Sequence, residues 1–333
     1  MKGIGLLLIA ACGFITCGCK EKEALGNGVA AHGQLRVEKT SIIDEHGKNT
    51  VLRGMSSHGI TWYPRYLNGG AMETLRSYGA NVFRIAVYTE PSGAYLDDPE
   101  LSLNYMYMGV ESALAADLYV IVDWHILKDG NPNLYAKEAE RFFGEVSSRY
   151  KDEPGVLYEI CNEPNGDTDW NDIKKYAAQI IPVIRKNAPD ALILVGTPDY
   201  CTDFLGPLAE PLEYENVMYS MHCYIDASSP DSNSASSLTD LMDAGLPVFV
   251  TEWGLSHEKS GDKAETEMAN IYPEPAQPFL DEMSKYGISW TGWSLSNKAE
   301  VHSAIQADCT KLSGWTQEDL TVSGKLMFSN FGE

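Results

Sequence analysis

The stretch VLYEICNEPN, Val156 to Asn165, decides how the rest of the chain is read. An apolar run with Tyr158 and Glu159 interleaved reads as a strand with one nearly dry face. It stops at Asn162-Glu163-Pro164, where polar chemistry replaces packing and a residue without an N–H ends the ladder. The pattern recurs at Pro247 to Gly254, PVFVTEWG, an apolar strand that delivers Glu252 at its end. Two glutamates that each close a hydrophobic strand place two carboxylates at one end of a sheet.

Outward from these two strands the chain alternates. Strand-like apolar runs fall near residues 51–55, 81–87, 119–124, 156–161, 192–196, 217–222, 248–252 and 289–294. Helical periodicity lies between most of them, over Ala71 to Tyr78, Leu103 to Asp117, Leu134 to Tyr150, Trp170 to Asn187 and Glu274 to Tyr286. Short apolar strands alternating with helices imply a parallel sheet covered by helices. Eight strands close a barrel that side chains can fill. The expectation is an α/β fold, a (β/α)8 TIM barrel, which commonly spends about 250 residues as one domain. Gln34 to Val51 reads as a short N-terminal β-hairpin with Gly47 near its turn, placed to plug the barrel floor. A doubly wound open sheet is the second reading, disfavoured because no Gly-rich phosphate turn follows the first strand. The polar connections Ile225 to Ser237 and Leu255 to Ala269 follow strands six and seven, on the face where such barrels build their sites.

Charge and composition exclude several classes. The chain has 333 residues with 47 acidic against 25 basic, a formal net charge of −22. Nucleic acid, whose phosphates demand a basic face, is excluded, and a neutral substrate fits best. Residues 1–19 read as a signal: Lys2, then the apolar Leu6 to Ile15, too short to span a membrane, then Thr16-Cys17-Gly18-Cys19. Small residues before a cysteine resemble a lipoprotein signal. Cys19 is the expected acceptor, because Cys12 leaves too little room for the hydrophobic segment, and the alternative is an ordinary secretory signal. Either reading expects export, as a cell-surface or outer-membrane lipoprotein or else a periplasmic or secreted protein, with the membrane touched only through that anchor. Residues 20–33 read as a tether and 34–333 as a single catalytic domain. Cys161, Cys201, Cys223 and Cys309 show no framework spacing, and the absence of CxxC in the body argues against a structural zinc site.

Chemistry-bearing residues collect at the strand ends: His58, Arg84, Asp123-Trp124-His125, Asn162-Glu163, His222 with Tyr224, Glu252 and Trp293. Any single histidine after a strand is commonly a satisfied structural residue; three at three strand ends are harder to explain by packing. Arg84 interrupts the apolar VFRIAVY and requires a carboxylate or acceptor where it is buried, either to hold a catalytic glutamate charged or as a structural ion pair. Trp62, Trp253 and Trp293 serve as core or as stacking faces for sugar rings. Cleavage of a glycosidic bond needs a protonated carboxyl on the leaving oxygen and a second carboxylate below the anomeric carbon, about 5–5.5 Å apart in a retaining enzyme. Glu163 and Glu252 supply two carboxylates, and spacing alone leaves open which is the acid.

Taken together, NEP closing strand four, TEWG closing strand seven, DWH after strand three, FRIAVY, HCY and WSLSNK resemble family 5 of the glycoside hydrolases, and within it the bacterial cellulases. The resemblance covers roughly Gly33 to Lys311. It implies Glu163 as acid/base and Glu252 as nucleophile, with Asn162 on the sugar 2-hydroxyl. Arg84 and Tyr224 would hold the nucleophile, and His222 would lie near the acid/base. His58 and His125 would contact sugar, Trp293 would stack at the reacting sugar, Trp62 at a more distal one, and Lys298 would bind a hydroxyl. Cys223 departs from the bulkier apolar residue common between the histidine and the tyrosine. The activity implied is a retaining endo-β-1,4-glucanase on cellulose-like or mixed-linkage β-glucans, acting as a monomer with no metal and no cofactor; mannan and xyloglucan are alternative substrates. Two other classes fit these residues less well. A metal-dependent barrel hydrolase using the three histidines lacks any closely spaced HxH or HExxH pair. A surface protein that captures glycans without cutting them would not need both glutamates, Arg84 and Asn162.

Overall fold

Eight strands close on themselves into a barrel in which every neighbouring pair is parallel. The computed structural model describes residues 26–232, 238–257 and 270–332. A one-turn helix α1 (Val29–His32) precedes the antiparallel hairpin β1 (Arg36–Glu38) and β2 (Ser41–Ile43). The barrel then runs β3 (Arg53–Ser57), α2 (Gly69–Ser77), β4 (Val82–Tyr88), α3 (Pro99–Ala115), β5 (Tyr119–His125), α4 (Ala136–Arg149), β6 (Val156–Glu159), α5 (Trp170–Asn187) and β7 (Ile193–Gly196). Two short turns, α6 (Pro198–Cys201) and α7 (Leu205–Ala209), lead to β8 (Val217–Asp226). The chain continues with α8 (Leu238–Asp243), β9 (Val248–Ser256), α9 (Gln277–Tyr286), β10 (Trp290–Leu295) and α10 (Val322–Ser329). The expected (β/α)8 barrel is present, with each expected strand within a few residues of its place.

Local chemistry starts and stops these elements. Asn68, Asp98 and Asp169 accept backbone N–H bonds at the first turns of α2, α3 and α5, satisfying donors that a helix cannot bond internally. Gly287, left-handed at φ 62°, ends α9 where a side chain would be strained. Period-two burial separates two layers. Val82, Tyr119, Ile121, Leu157, Leu194, Met218 and Phe249 point inward and form the floor of the barrel core with Leu35 and Ile42 of the hairpin segment. Phe83, Ile85, Val120, Val122, Tyr158 and Val250 point outward under the helices.

The hairpin does plug the floor, but it turns elsewhere than expected. β1 and β2 pair Glu38 with Ser41 around Lys39 (φ 57°), while Gly47 (φ 80°) lies in a second turn that brings Asn49 back to Ile43. The end of the expected tether is folded too. Ala30 N–H donates to Asp117 Oδ1, His32 Nδ1 lies 2.8 Å from Asp44 Oδ2, and Tyr119 OH donates to the Gly33 carbonyl. Cys12, Cys19 and the rest of the expected signal lie outside the described residues, as do parts of both long polar loops. No helix among the described residues is long and apolar enough to cross a membrane. Cys161, Cys201, Cys223 and Cys309 are free thiols.

Candidate active site

At the C-terminal end of the barrel the inward layer changes from apolar to charged. Arg84 on β4 is fully buried and reaches four strands. Its Nε donates to Glu159 Oε2 (2.5 Å), Nη1 to Glu252 Oε1 (2.8 Å) and Ser56 Oγ (3.1 Å), and Nη2 to Asn162 Oδ1 (2.7 Å). Asp123 Oδ2 faces Nη2 at 2.9 Å. Burial opposes the charge on Arg84, yet the carboxylates of Asp123, Glu159 and Glu252 hold it firmly protonated. One permanent cation among three buried acids leaves an excess of negative potential, and burial raises Glu159 and pushes Asp123 up to about 7.

Arginine can only donate, and that fixes the direction of a chain of hydrogen bonds. With Asn162 Oδ1 on Arg84, the amide nitrogen points to the Ile126 carbonyl (3.0 Å) and to His125 Nε2 (3.3 Å). Burial lowers His125 well below the usual histidine range, so the ring is neutral. An N–H facing Nε2 requires a lone pair there, which puts the ring proton on Nδ1, donating to Asp123 Oδ2 at 2.6 Å.

A local irregularity places Glu252. Phe249 points into the barrel and Thr251 Oγ1 meets His222, but Trp253 packs outward on Phe279 and Trp290. Strict alternation would send Glu252 outward with Val250. The β8–β9 register instead shifts, pairing Met221 with Val250 and His222 with Glu252, and this bulge turns the glutamate into the mouth. There Oε2 accepts from Tyr224 OH at 2.7 Å, and Oε1 accepts from Arg84. Tyr224 exposes its ring at the rim while turning its hydroxyl inward.

Glu163 lies beyond the end of β6, on a loop. Oε1 is 2.7 Å from His222 Nδ1, whose Nε2 is 3.0 Å from Thr251 Oγ1. Burial lowers His222, keeping the imidazole neutral, so Nδ1 accepts from a Glu163 carboxyl or donates to its carboxylate while the Thr251 hydroxyl takes the complementary role. Burial pushes Glu163 up to about 7 against the pull of Arg84. The ligand atoms of Glu163, His222 and Glu252 all lie within 4.8 Å of one another. Among the described residues this is the one group of His, Cys, Asp or Glu compact enough for a metal ion, and each of its three residues already has a hydrogen-bond partner within the site.

Around this centre is an aromatic rim. Trp293 packs near His125 (stacked, ring centroids 5.3 Å) and His58 (5.3 Å), and Tyr88 approaches His125 at 4.0 Å. Trp62, 39% exposed, stands edge-on to Tyr88. Lys298 Nζ is 2.5 Å from Glu300 Oε2. The mouth therefore brings together every expected site residue of the body: Glu163, Glu252, Arg84, Asn162, His222, Tyr224, His58, Trp62, His125, Trp293 and Lys298. It gives Asp123, expected only as a strand-end residue, a place on Arg84 and His125, and it adds Glu159, Tyr88, Thr251 and Glu300. Burial pushes Glu300 up, but His302 and Lys298 outweigh it and bring it down to about 2. Asp123 and Glu159 carried a signal in the sequence, since each is an acid inside an apolar strand, as Arg84 is a base inside one. Glu300 carried none.

Comparisons with known proteins bear on the family and the fold. Residues 43–299 match the family model described as cellulase (glycosyl hydrolase family 5). The chain is 42% identical over 308 residues to Endoglucanase A of Butyrivibrio fibrisolvens, spanning 91% of this chain and 69% of that protein. It is 39% identical over 321 residues to an endoglucanase of Clostridium saccharobutylicum, spanning 96% and 69%. Among solved structures it is similar to the catalytic domain of Thermobifida fusca endoglucanase Cel5A in complex with cellotetraose. That match has a TM-score of 0.82 and 32% identity, covering 92% of this chain and 99% of the other.

Proposed function

This chain belongs to glycosyl hydrolase family 5, the cellulases, and from that premise we propose how its own residues cut β-glucan. The protein is an endo-β-1,4-glucanase, and its reaction retains configuration at the anomeric carbon. The observation that carries the assignment of roles is the approach of Glu163 and Glu252 within 4.8 Å, with donors on both oxygens of Glu252 and a neutral histidine beside Glu163. That spacing suits a direct nucleophile and leaves no room for an intervening water, as inversion would require.

Glu252 is the nucleophile. Both its oxygens accept from donors, Arg84 and Tyr224, that complement a carboxylate. Glu163 is the acid/base, because burial keeps a proton on it to about pH 7. In the first step a Glu252 oxygen bonds to the anomeric carbon, the bond to the leaving sugar oxygen breaks, and that oxygen takes the Glu163 proton. In the second step Glu163 removes a proton from water as the water oxygen bonds to the anomeric carbon. As that bond forms, the bond from the anomeric carbon to the Glu252 oxygen breaks, and both glutamates return to their starting forms. Asn162, aimed by Arg84, offers the sugar 2-hydroxyl the amide N–H that faces His125 Nε2 in the free site, and His222 follows the charge on Glu163. Asp123 positions His125 for contact with the reacting sugar. Trp293 and Trp62 stack on sugar faces at the reacting and a more distal subsite, and His58 and Lys298 bind hydroxyls.

Reducing-sugar release from carboxymethylcellulose, lichenan, mannan and xyloglucan, with wild type beside Glu252→Gln, tests this reading. Cleavage of the first two that vanishes in the variant is the expected result. Preference for mannan or xyloglucan would replace the substrate and keep the chemistry. Glucan binding without cleavage would overturn both. For the rest of the chain we propose export through residues 1–19 with Cys19 acylated, a single catalytic domain and a monomer. Metabolic labelling with a fatty acid that is lost in Cys19→Ala, and sedimentation of the purified body, check these.

A further inference from the structure

Six non-glycine residues among those described have positive φ, and three of them are consecutive: Asp199 (52°), Tyr200 (57°) and Cys201 (61°), in α6 directly after β7. Side chains rarely tolerate this left-handed backbone, and a run of three is rarer, so something must reward it. The reward is contact with the loop that carries Glu163. Tyr200 N–H donates to the Pro164 carbonyl at 3.0 Å, and Cys201 Sγ donates to the Asn162 carbonyl at 2.9 Å. The carbonyls of both residues flanking Glu163 are therefore bonded to successive residues of one turn. Between them, the Glu163 carbonyl accepts from Asn165 Nδ2 at 2.8 Å.

Close approach is built in at the base of the turn. A Cβ on Gly196, the last residue of β7, would fall 2.2 Å from the Cys161 carbonyl oxygen and 2.7 Å from that of Asn162, so glycine is what lets the loop lie against the strand. Cys201 is wholly buried, and burial and the acids Glu163 and Glu159 keep its thiol protonated, hence a donor.

We propose that the left-handed turn Asp199–Tyr200–Cys201 is the positioning device for the acid/base, holding the Glu163 backbone so that its carboxyl meets the leaving oxygen, and that it acts on that half of the reaction alone. The proposal rests on Glu163 being the acid/base. A leaving group that needs no proton separates the two halves. kcat/KM reports the steps through formation of the glycosyl-enzyme, so protonation matters for cellotetraose and not for dinitrophenyl β-cellobioside.

The experiment measures kcat/KM for both substrates in Glu163→Gln, Cys201→Ala and Cys201→Ser, with the melting temperature of each. Glu163→Gln is expected to lose cellotetraose cleavage and keep the aryl substrate. Cys201→Ala is expected to lower kcat/KM on cellotetraose about tenfold and on the aryl substrate less than twofold, a loss in keeping with a small misplacement of a reacting group. Cys201→Ser, which restores a donor, is expected to recover most of that loss; should the alanine variant not fold, Cys201→Gly, which suits the left-handed backbone and lacks the donor, takes its place with the same split expected. If Glu163→Gln shows no split, the acid/base assignment falls and the proposal with it. If Glu163→Gln splits while the Cys201 variants lower both substrates equally, or neither, the turn is overturned and the assignment stands.

Discussion

The two glutamates are held by opposite means. Glu252 belongs to β9, hydrogen-bonded to strands on both sides, and its side chain is fixed by a buried guanidinium and a phenol. Glu163 sits past the end of a four-residue strand, and its backbone is secured by side chains and by a strained turn of the neighbouring connection. Its carboxyl has one protein partner, a neutral histidine, and 12% of the side chain stays exposed, against 4% for Glu252. The comparison teaches how one cavity can hold acid and nucleophile apart: donors bond both oxygens of Glu252, while at Glu163 burial outweighs the pull of Arg84.

Breaking the nucleophile side has the largest expected effect. Glu252→Gln replaces the attacking carboxylate by a neutral amide and should lower kcat/KM roughly ten-thousandfold on glucan and aryl substrates alike. An aryl substrate cleaved at wild-type rate would reverse the assignment. Glu163→Gln should cost about 10²–10⁴-fold on glucan, with the aryl kcat/KM spared; added azide, which needs no base, should restore turnover of the trapped ester. Tyr224→Phe removes one donor from Glu252 Oε2 and should cost about tenfold, the worth of one hydrogen bond to a charged group, on both substrates. A split between substrates would mean that Tyr224 serves the acid instead.

The pH profile sharpens the same contrast. Because burial raises Glu163 to about 7, the proton needed for attack on glucan is lost above that pH, and kcat/KM should fall about tenfold per unit. The aryl substrate should show no such limb. The smallest effect is on stability. A carboxyl whose folded pKa is raised from 4.5 to about 7 binds more protons folded than unfolded between those values, so its ionisation destabilises the fold progressively across that window. Glu163→Gln removes that penalty and should melt a few degrees above wild type at pH 8, with no gain at pH 4. An equal gain at both would assign the effect to packing.

Much of this was legible in the chain. Apolar runs marked the eight strands, since period and length are local properties. A base in VFRIAVY announced a buried ion pair, because a guanidinium cannot be left unpaired, although the sequence did not say that three carboxylates would share it. The hairpin turn was misplaced because Gly47 is a stronger turn signal than Lys39-Thr40, and both turns occur. The clasp of 199–201 left no trace in composition: Pro-Asp-Tyr-Cys reads as an ordinary turn, and only contact with a loop 39 residues away explains its hand.

By itself, then, the sequence determined the barrel, the identities of the two glutamates and the strand ends that carry them, because those follow from hydrophobic periodicity and from polar groups that dry strands cannot absorb. The resemblance named Glu163 as acid/base and Glu252 as nucleophile, and only tertiary structure supplies the environments on which we rest that choice physically. That choice depends on a bulge between β8 and β9 that turns Glu252 toward Arg84, and on the depth at which Glu163 is cut off from water. Register shifts and desolvation are properties of neighbours distant in the chain, and no local pattern encodes them.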